Sequence, residues 1–253
     1  MYGKLKDRLR SGEILLGACI ETPEPDYAEV MGLIGFDWLW IDMEHCPFSI
    51  KDVETTLQAL QSTDAGILVR VPWNDFVYIK RVLDLGPDGV IVPWINSSRE
   101  AEEAVEACRY PPEGIRGCGP RRVAWRRGFE EYVKNANKEV VVVLQIETGE
   151  AVRNLDEILK VDGVDATFIG PADLSANLGH IGELDNTEVL ETIREVLRRH
   201  EGKEICPGIA ATPGSAQRYI EMGFRLVSVG SDLGFMRMKA EEILRKLRSL
   251  LKG

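Results

Sequence analysis

Eight short, nearly unbroken apolar runs recur along the chain: "ILLGACIE" (14–21), "DWLWIDME" (37–44), "GILVRVP" (66–72), "DGVIVPWI" (88–95), "EVVVVLQIE" (139–147), "DATFIGP" (165–171), "EICPGIA" (204–210) and "RLVSVGS" (225–231). Strict alternation would mark strands with one face in water. Continuous runs mark strands covered on both faces, as in a parallel sheet flanked by helices. Amphipathic segments of helical period lie between them, among them "DVETTLQALQS", "DFVYIKRVLDLG", "SSREAEEAVEACRY", "GEAVRNLDEILKV" and "TEVLETIREVLRR", and several stop at Gly or Pro. Eight βα units in 253 residues predict an α/β fold, a (β/α)8 TIM barrel forming one domain over residues 1–253. The alternative, an open doubly wound sheet binding a dinucleotide, needs GxGxxG after an early strand. "GCG" at 117–119 lies in a loop and does not continue that pattern.

Two segments exceed a minimal barrel. Residues 111–137 form an unusually long connection, which in a compact domain points to function or a partner contact. The last helix, 233–251, carries Met236, Ala240, Ile243, Leu244, Leu247, Leu250 and Leu251 on one stripe. Packing on its own barrel and swapping onto a neighbouring subunit both account for that stripe.

Composition narrows the partners. A net charge of −10 argues against nucleic acid as the main partner. The local basic cluster "RRVAWRRG" (121–128) reads as anion binding or a subunit contact. The five cysteines are scattered, with no CxxC pair, which fits reduced thiols. No run approaches a membrane span and the start has no signal-peptide core, so the expected location is the cytoplasm, with no membrane partner.

The candidate chemistry sits where the runs end, since barrel active sites form at the C-terminal ends of strands. The polar residues there are Asp42, Glu44 and His45 after the second run, and Arg70 after the third. Gln145 and Glu147 end the fifth, Asp173 and Ser175 follow the sixth, and Ser231 and Asp232 end the eighth. Strand side chains alternate faces, so Asp42 and Glu44 share one, as do Gln145 and Glu147. His45 has the opposite parity but falls past its strand, where "CPF" turns the chain. Glu147 and Asp173 suit a hard divalent cation such as Mg²⁺, with Mn²⁺ or Co²⁺ accepted by the same oxygens. No run has a lysine in its interior, which argues against imine chemistry. Cys46 beside His45 suggests a thiolate nucleophile only weakly, because adjacent strand residues point apart. A metal, a fixed arginine and an imidazole able to move a proton fit chemistry that makes and breaks an enolate. His200 on a charged helix end reads as solvated and His180 as a loop residue. Ser231 and Asp232 read as a phosphate site or as helix caps.

"DWLWIDMEHCPFSI", "VRVPW", "KRVLDLGPDGVIVPWI", "RYPPEGIRGCGP", "QIETGEAVRNLDEIL" and "FIGPADLSANLG" resemble the HpcH/HpaI aldolase family over about residues 10–240. The resemblance implies a class II, metal-dependent aldolase that cleaves a 4-hydroxy-2-oxo acid to pyruvate and an aldehyde. It places the metal on Glu147 and Asp173, the catalytic histidine at His45 and its supporting carboxylate at Asp84. Arg70 and Gln145 would meet the substrate, the "GPAD" turn near Ala172 would hold its carboxylate, and Asp42 would belong to the same network. It implies a barrel whose last helix swaps between subunits of a homo-oligomer, a hexamer or a trimer. Oxaloacetate decarboxylation and other carbon–carbon bond formation through the same enolate, as in macrophomate synthase, stay open. So do a CoA-ester lyase of the citrate-lyase β type and a non-catalytic barrel that binds 2-oxo acids. The chain differs from the family at Ala18, Cys19 and Ile20, where a bulky aromatic is usual, and in "GIAATPG" and "GPRRVAWRRG". These differences bear on the aldehyde side or the subunit contact.

Overall fold

The computed structural model describes residues 3–251. Eight parallel strands close into a barrel in chain order: β1 (Leu15–Ile20), β2 (Trp38–Asp42), β3 (Gly66–Arg70), β4 (Gly89–Val92), β5 (Val141–Ile146), β6 (Ala166–Ile169), β7 (Cys206–Ala210) and β8 (Leu226–Ser231). Every apolar run yields one strand, so the predicted barrel is the observed one. Alternation divides each strand between two cores. One parity (Leu39 and Ile41, Val69, Val90 and Val92, Val142 and Leu144, Ile169) packs outward against helices. The other (Leu15, Cys19, Trp38, Trp40, Leu68, Ile91, Val141, Val143, Ala166, Phe168, Cys206, Leu226) fills the barrel interior. Room for the Trp38 indole comes from its neighbour Gly17, where an added Cβ would lie 2.3 Å from the ring.

A short helix, Lys4–Ser11, closes the N-terminal end of the barrel. Its Leu5 and Leu9, one turn apart, join the inner cluster. Buried Lys6 pairs with Asp165 at 3.0 Å and donates to the Val140 carbonyl. The mouth of the site is therefore at the opposite end.

The long connection is mostly helical, over Arg121–Arg127 and Phe129–Glu139. This corrects the anion-binding reading for Arg121, Arg122 and Arg127. Arg122 donates to the carbonyls of Leu85 and Leu57, Arg121 meets Glu54, and Arg127 pairs with Glu139 and Glu131. Arg121 and Arg122 pin the connection to the barrel, and Arg127 ties its two helices together.

The last helix, Asp232–Leu250, starts on the barrel and then leaves it. Phe235 stacks on Phe36, but Met236, Met238, Ile243, Leu244, Leu247 and Leu250 are 48–71% exposed. The stripe does not pack on its own barrel, which removes one of its two readings. A helix over Pro25–Ile34 exposes Tyr27, Val30 and Ile34, and these line an apolar groove with Phe36 and Met236. No described helix is long and apolar enough to cross a membrane.

Candidate active site

The ends of β2 and β3 are in register, Asp42 opposite Arg70, both on the interior parity. Arg70 makes a fork onto Asp42, Nε to Oδ1 at 2.9 Å and Nη2 to Oδ2 at 2.7 Å. Its Nη1 lies 3.0 Å from Glu44 Oε2 and donates to Gln145 Oε1 at 3.4 Å. Asp42 Oδ1 also accepts from the N–H groups of Glu44 and His45, which shapes the turn after β2. Burial alone would raise the Asp42 pKa, but the Arg70 fork and these N–H groups hold it below the usual range.

β5 supplies the next wall. Gln145 and Glu147 are 1% exposed and two residues apart, and the Gln145 amide donates to Glu147 Oε2. Glu147 Oε1 accepts from the N–H of Trp94 at 2.8 Å. Trp94 has φ +56°, a left-handed conformation that a bulky residue rarely adopts. The bond to Glu147 accounts for that strained backbone, and nothing in "VPW" announced it. Burial pushes Glu147 up to about 7. The Trp94 N–H opposes this, and the charges of Glu44 and Asp173 add to it. Burial likewise raises Glu44.

β6 ends at Ile169, and Gly170 after it caps the helix Pro171–Asn177 with Asp173 in its first turn. A Cβ at Gly170 would lie 3.0 Å from Glu147 Oε2 and from Gln145 Nε2, and 3.5 Å from Asp173 Oδ2. Glu147 and Asp173 thus flank one small space that only glycine leaves open. Asp42, Glu44, Glu147 and Asp173 converge with a single guanidinium, an excess of negative charge that a dication would balance. Among the described residues no group of three or more His, Cys, Asp and Glu side chains is arranged for a metal. Two carboxylates with the remaining positions left to water and substrate oxygens is the Mg²⁺ pattern, and the donor set fits it.

The predicted residues from four runs thus converge, while others do not. His45 is at the rim with its side chain 59% exposed, its Nε2 3.7 Å from Glu44 Oε2. Asp84 does not join it within the chain: its carboxylate is paired with Arg116 at 3.1 Å, at the end of the helix Phe76–Leu83. Cys46 donates to Asp42 Oδ2 at 3.6 Å, and burial pushes its thiol up to about 12, so it carries no thiolate near neutral pH. Ser175 turns back onto the Ala172 carbonyl. Ser231 caps the last helix, and Asp232 accepts from the N–H groups of Glu21 and Thr22, so both are structural. His180 pairs with Glu188 and Asn186. His200 corrects the solvated reading: it is 5% exposed and bonded through both ring nitrogens.

Comparison with known proteins shows the family. The family model described as HpcH/HpaI aldolase/citrate lyase matches residues 18–238. A 4-hydroxy-2-oxo-heptane-1,7-dioate aldolase of Klebsiella pneumoniae is 41% identical over 247 residues, 96% of this chain and 93% of its own. A 5-keto-4-deoxy-D-glucarate aldolase of Escherichia coli is 39% identical over 242 residues, 95% of this chain and 94% of its own. The crystal structure of an HpcH/HpaI aldolase/citrate lyase family protein from Burkholderia cenocepacia superposes with TM-score 0.93 at 33% identity, covering 97% and 99% of the two chains. The chain belongs to the HpcH/HpaI aldolase/citrate lyase family.

Proposed function

We propose that the protein is a divalent-metal-dependent aldolase that cleaves a 4-hydroxy-2-oxo acid to pyruvate and an aldehyde. The observation that carries this is the space over Gly170, flanked by Glu147 and Asp173 and backed by the Arg70–Asp42 fork. Mg²⁺, Mn²⁺ or Co²⁺ held by these two carboxylates would act as a Lewis acid on the 2-oxo acid. The chain's own groups do the rest. The substrate carboxylate meets the exposed Ala172 turn, where first-turn N–H groups have no backbone partner. Gln145, anchored on Glu147, orients the 2-oxo group. Arg70 donates to the keto oxygen as C3–C4 cleavage moves an electron pair onto it. His45 at the rim takes the C4 hydroxyl proton, and protonation of C3 completes pyruvate. Glu44 is the carboxylate beside His45 within the chain, so support from Asp84 requires two copies to meet.

The exposed stripe of the last helix and the groove beside its root fit a swap between subunits of a homo-oligomer, a trimer or hexamer. Oxaloacetate decarboxylation passes through the same enolate and uses the same groups.

The test is exchange of pyruvate methyl protons for deuterium, followed by NMR with chelated protein and after adding Mg²⁺, Mn²⁺ or Co²⁺. The expected result is metal-dependent exchange that falls by roughly 100-fold or more in Glu147→Ala. Folded protein with no exchange under any metal overturns the proposal.

A further inference from the structure

Beneath the Arg70 guanidinium lies the indole of Trp40, its ring centroid 4.8 Å from Arg70 Cζ. Trp40 is 5% exposed and occupies the last interior layer below the site. Its Nε1–H donates to Ser228 Oγ at 3.0 Å, and Ser228 is itself buried on β8. Phe168 meets its edge with centroids 5.9 Å apart. Cys19, its Cα partner on β1, leaves space for the large ring. The indole is thus fixed from three strands, β1, β6 and β8.

This arrangement supplies what the Asp42 fork lacks. Two parallel N–H···O bonds fix a guanidinium within its plane, but the pair can still tilt about the line joining the two groups. The Nη1 end, directed at Glu44 and Gln145, swings furthest in such a tilt. A flat aromatic face below, attractive to the cation, stops it.

We infer that Trp40 is a positioning residue that sets the tilt of Arg70 and so aims its N–H groups at the oxygen where charge develops. The inference rests on the aldolase reading above and assigns Trp40 no contact with substrate. Aiming matters most when charge is greatest, so loss of the ring lowers kcat more than it raises KM.

The experiment measures pyruvate methyl exchange in Trp40→Phe, Trp40→Leu and Trp40→Met, each alone and with Arg70→Gln, per folded protein as measured by circular dichroism. Trp40→Leu and Trp40→Met are expected to lower kcat on the order of 10- to 30-fold. Trp40→Phe, which keeps an aromatic face, stays within about threefold of the parent. With Arg70→Gln the same changes cost less than about threefold further, because the group they aim is gone. Full losses in the Arg70→Gln background, or a Trp40→Phe protein as slow as Trp40→Met, overturn the inference. Should Trp40→Leu and Trp40→Met both fail to fold, Ser228→Ala, which removes the bond that fixes the indole, decides it in their place: a loss of kcat that disappears in the Arg70→Gln background supports it, and no loss, or the same loss in both backgrounds, overturns it. Absence of exchange in the parent protein overturns the aldolase reading instead.

Discussion

Both ring nitrogens of His200 are engaged. Nδ1 faces the Val196 carbonyl, which can only accept, so the proton resides on Nδ1, and Nε2 accepts from the Thr167 hydroxyl. A second proton would break the Thr167 bond inside the protein, and burial holds the His200 pKa below its usual value. Stability follows from the sign. The unfolded chain takes up the proton near pH 6.5 and the folded chain only at lower pH, so stability is full above that value and is lost as pH falls. His200→Gln should cost about 1–2 kcal/mol at pH 8, with a smaller gap from the parent at pH 5, measured by urea unfolding at both. Gly170 is informative in another way. Gly170→Ala should leave thermal unfolding nearly unchanged while weakening Mn²⁺ binding by about 10- to 100-fold, read by calorimetry, because the new methyl enters the space between the carboxylates. At the site, Glu147 and Asp173 could be picked from the chain because they follow closely on strand ends. His200 could not, because the charged residues around it hid a one-turn reach back into the core. Trp94 acts through its backbone N–H, which no side-chain pattern reports.

Alternation is the element-scale signal that carried furthest. Asp42, Arg70, Gln145 and Glu147 all have interior parity, and the register places them at the same end of the barrel. Period-two geometry makes that readable without a partner chain. Packing between elements is not readable in this way. The helix Lys4–Ser11 is mostly polar, and only Leu5 and Leu9 at one-turn spacing hint that it seals the floor. The segment 149–161, read as one helix, is broken at Asn154, whose side chain donates to the Asn96 carbonyl. Glycine marks one close approach between elements. Gly17→Ala should destabilise the barrel by about 1–3 kcal/mol in urea unfolding, since Trp38 has no room to retreat.

At the scale of the molecule, the last helix is an apolar stripe without a barrel beneath it. Periodicity showed the stripe, but one chain cannot show what covers it. Removing residues 237–253 should leave the far-ultraviolet spectrum that of a folded barrel and lower the mass seen by light scattering, if the groove at Tyr27, Val30 and Ile34 receives the helix of another copy. The depth of the site carries a consequence of its own. Helix Lys4–Ser11 corks one end of the barrel, Glu147 and Gln145 are at the bottom of the other, and His45 stands at its lip. Traffic therefore has a single lane. Under the proposed reading the half of the substrate nearest Glu147 sits behind the half nearest His45, so the aldehyde is expected to depart before pyruvate. In the reverse direction pyruvate must enter first, which makes pyruvate a competitive product inhibitor of cleavage and the aldehyde a noncompetitive one.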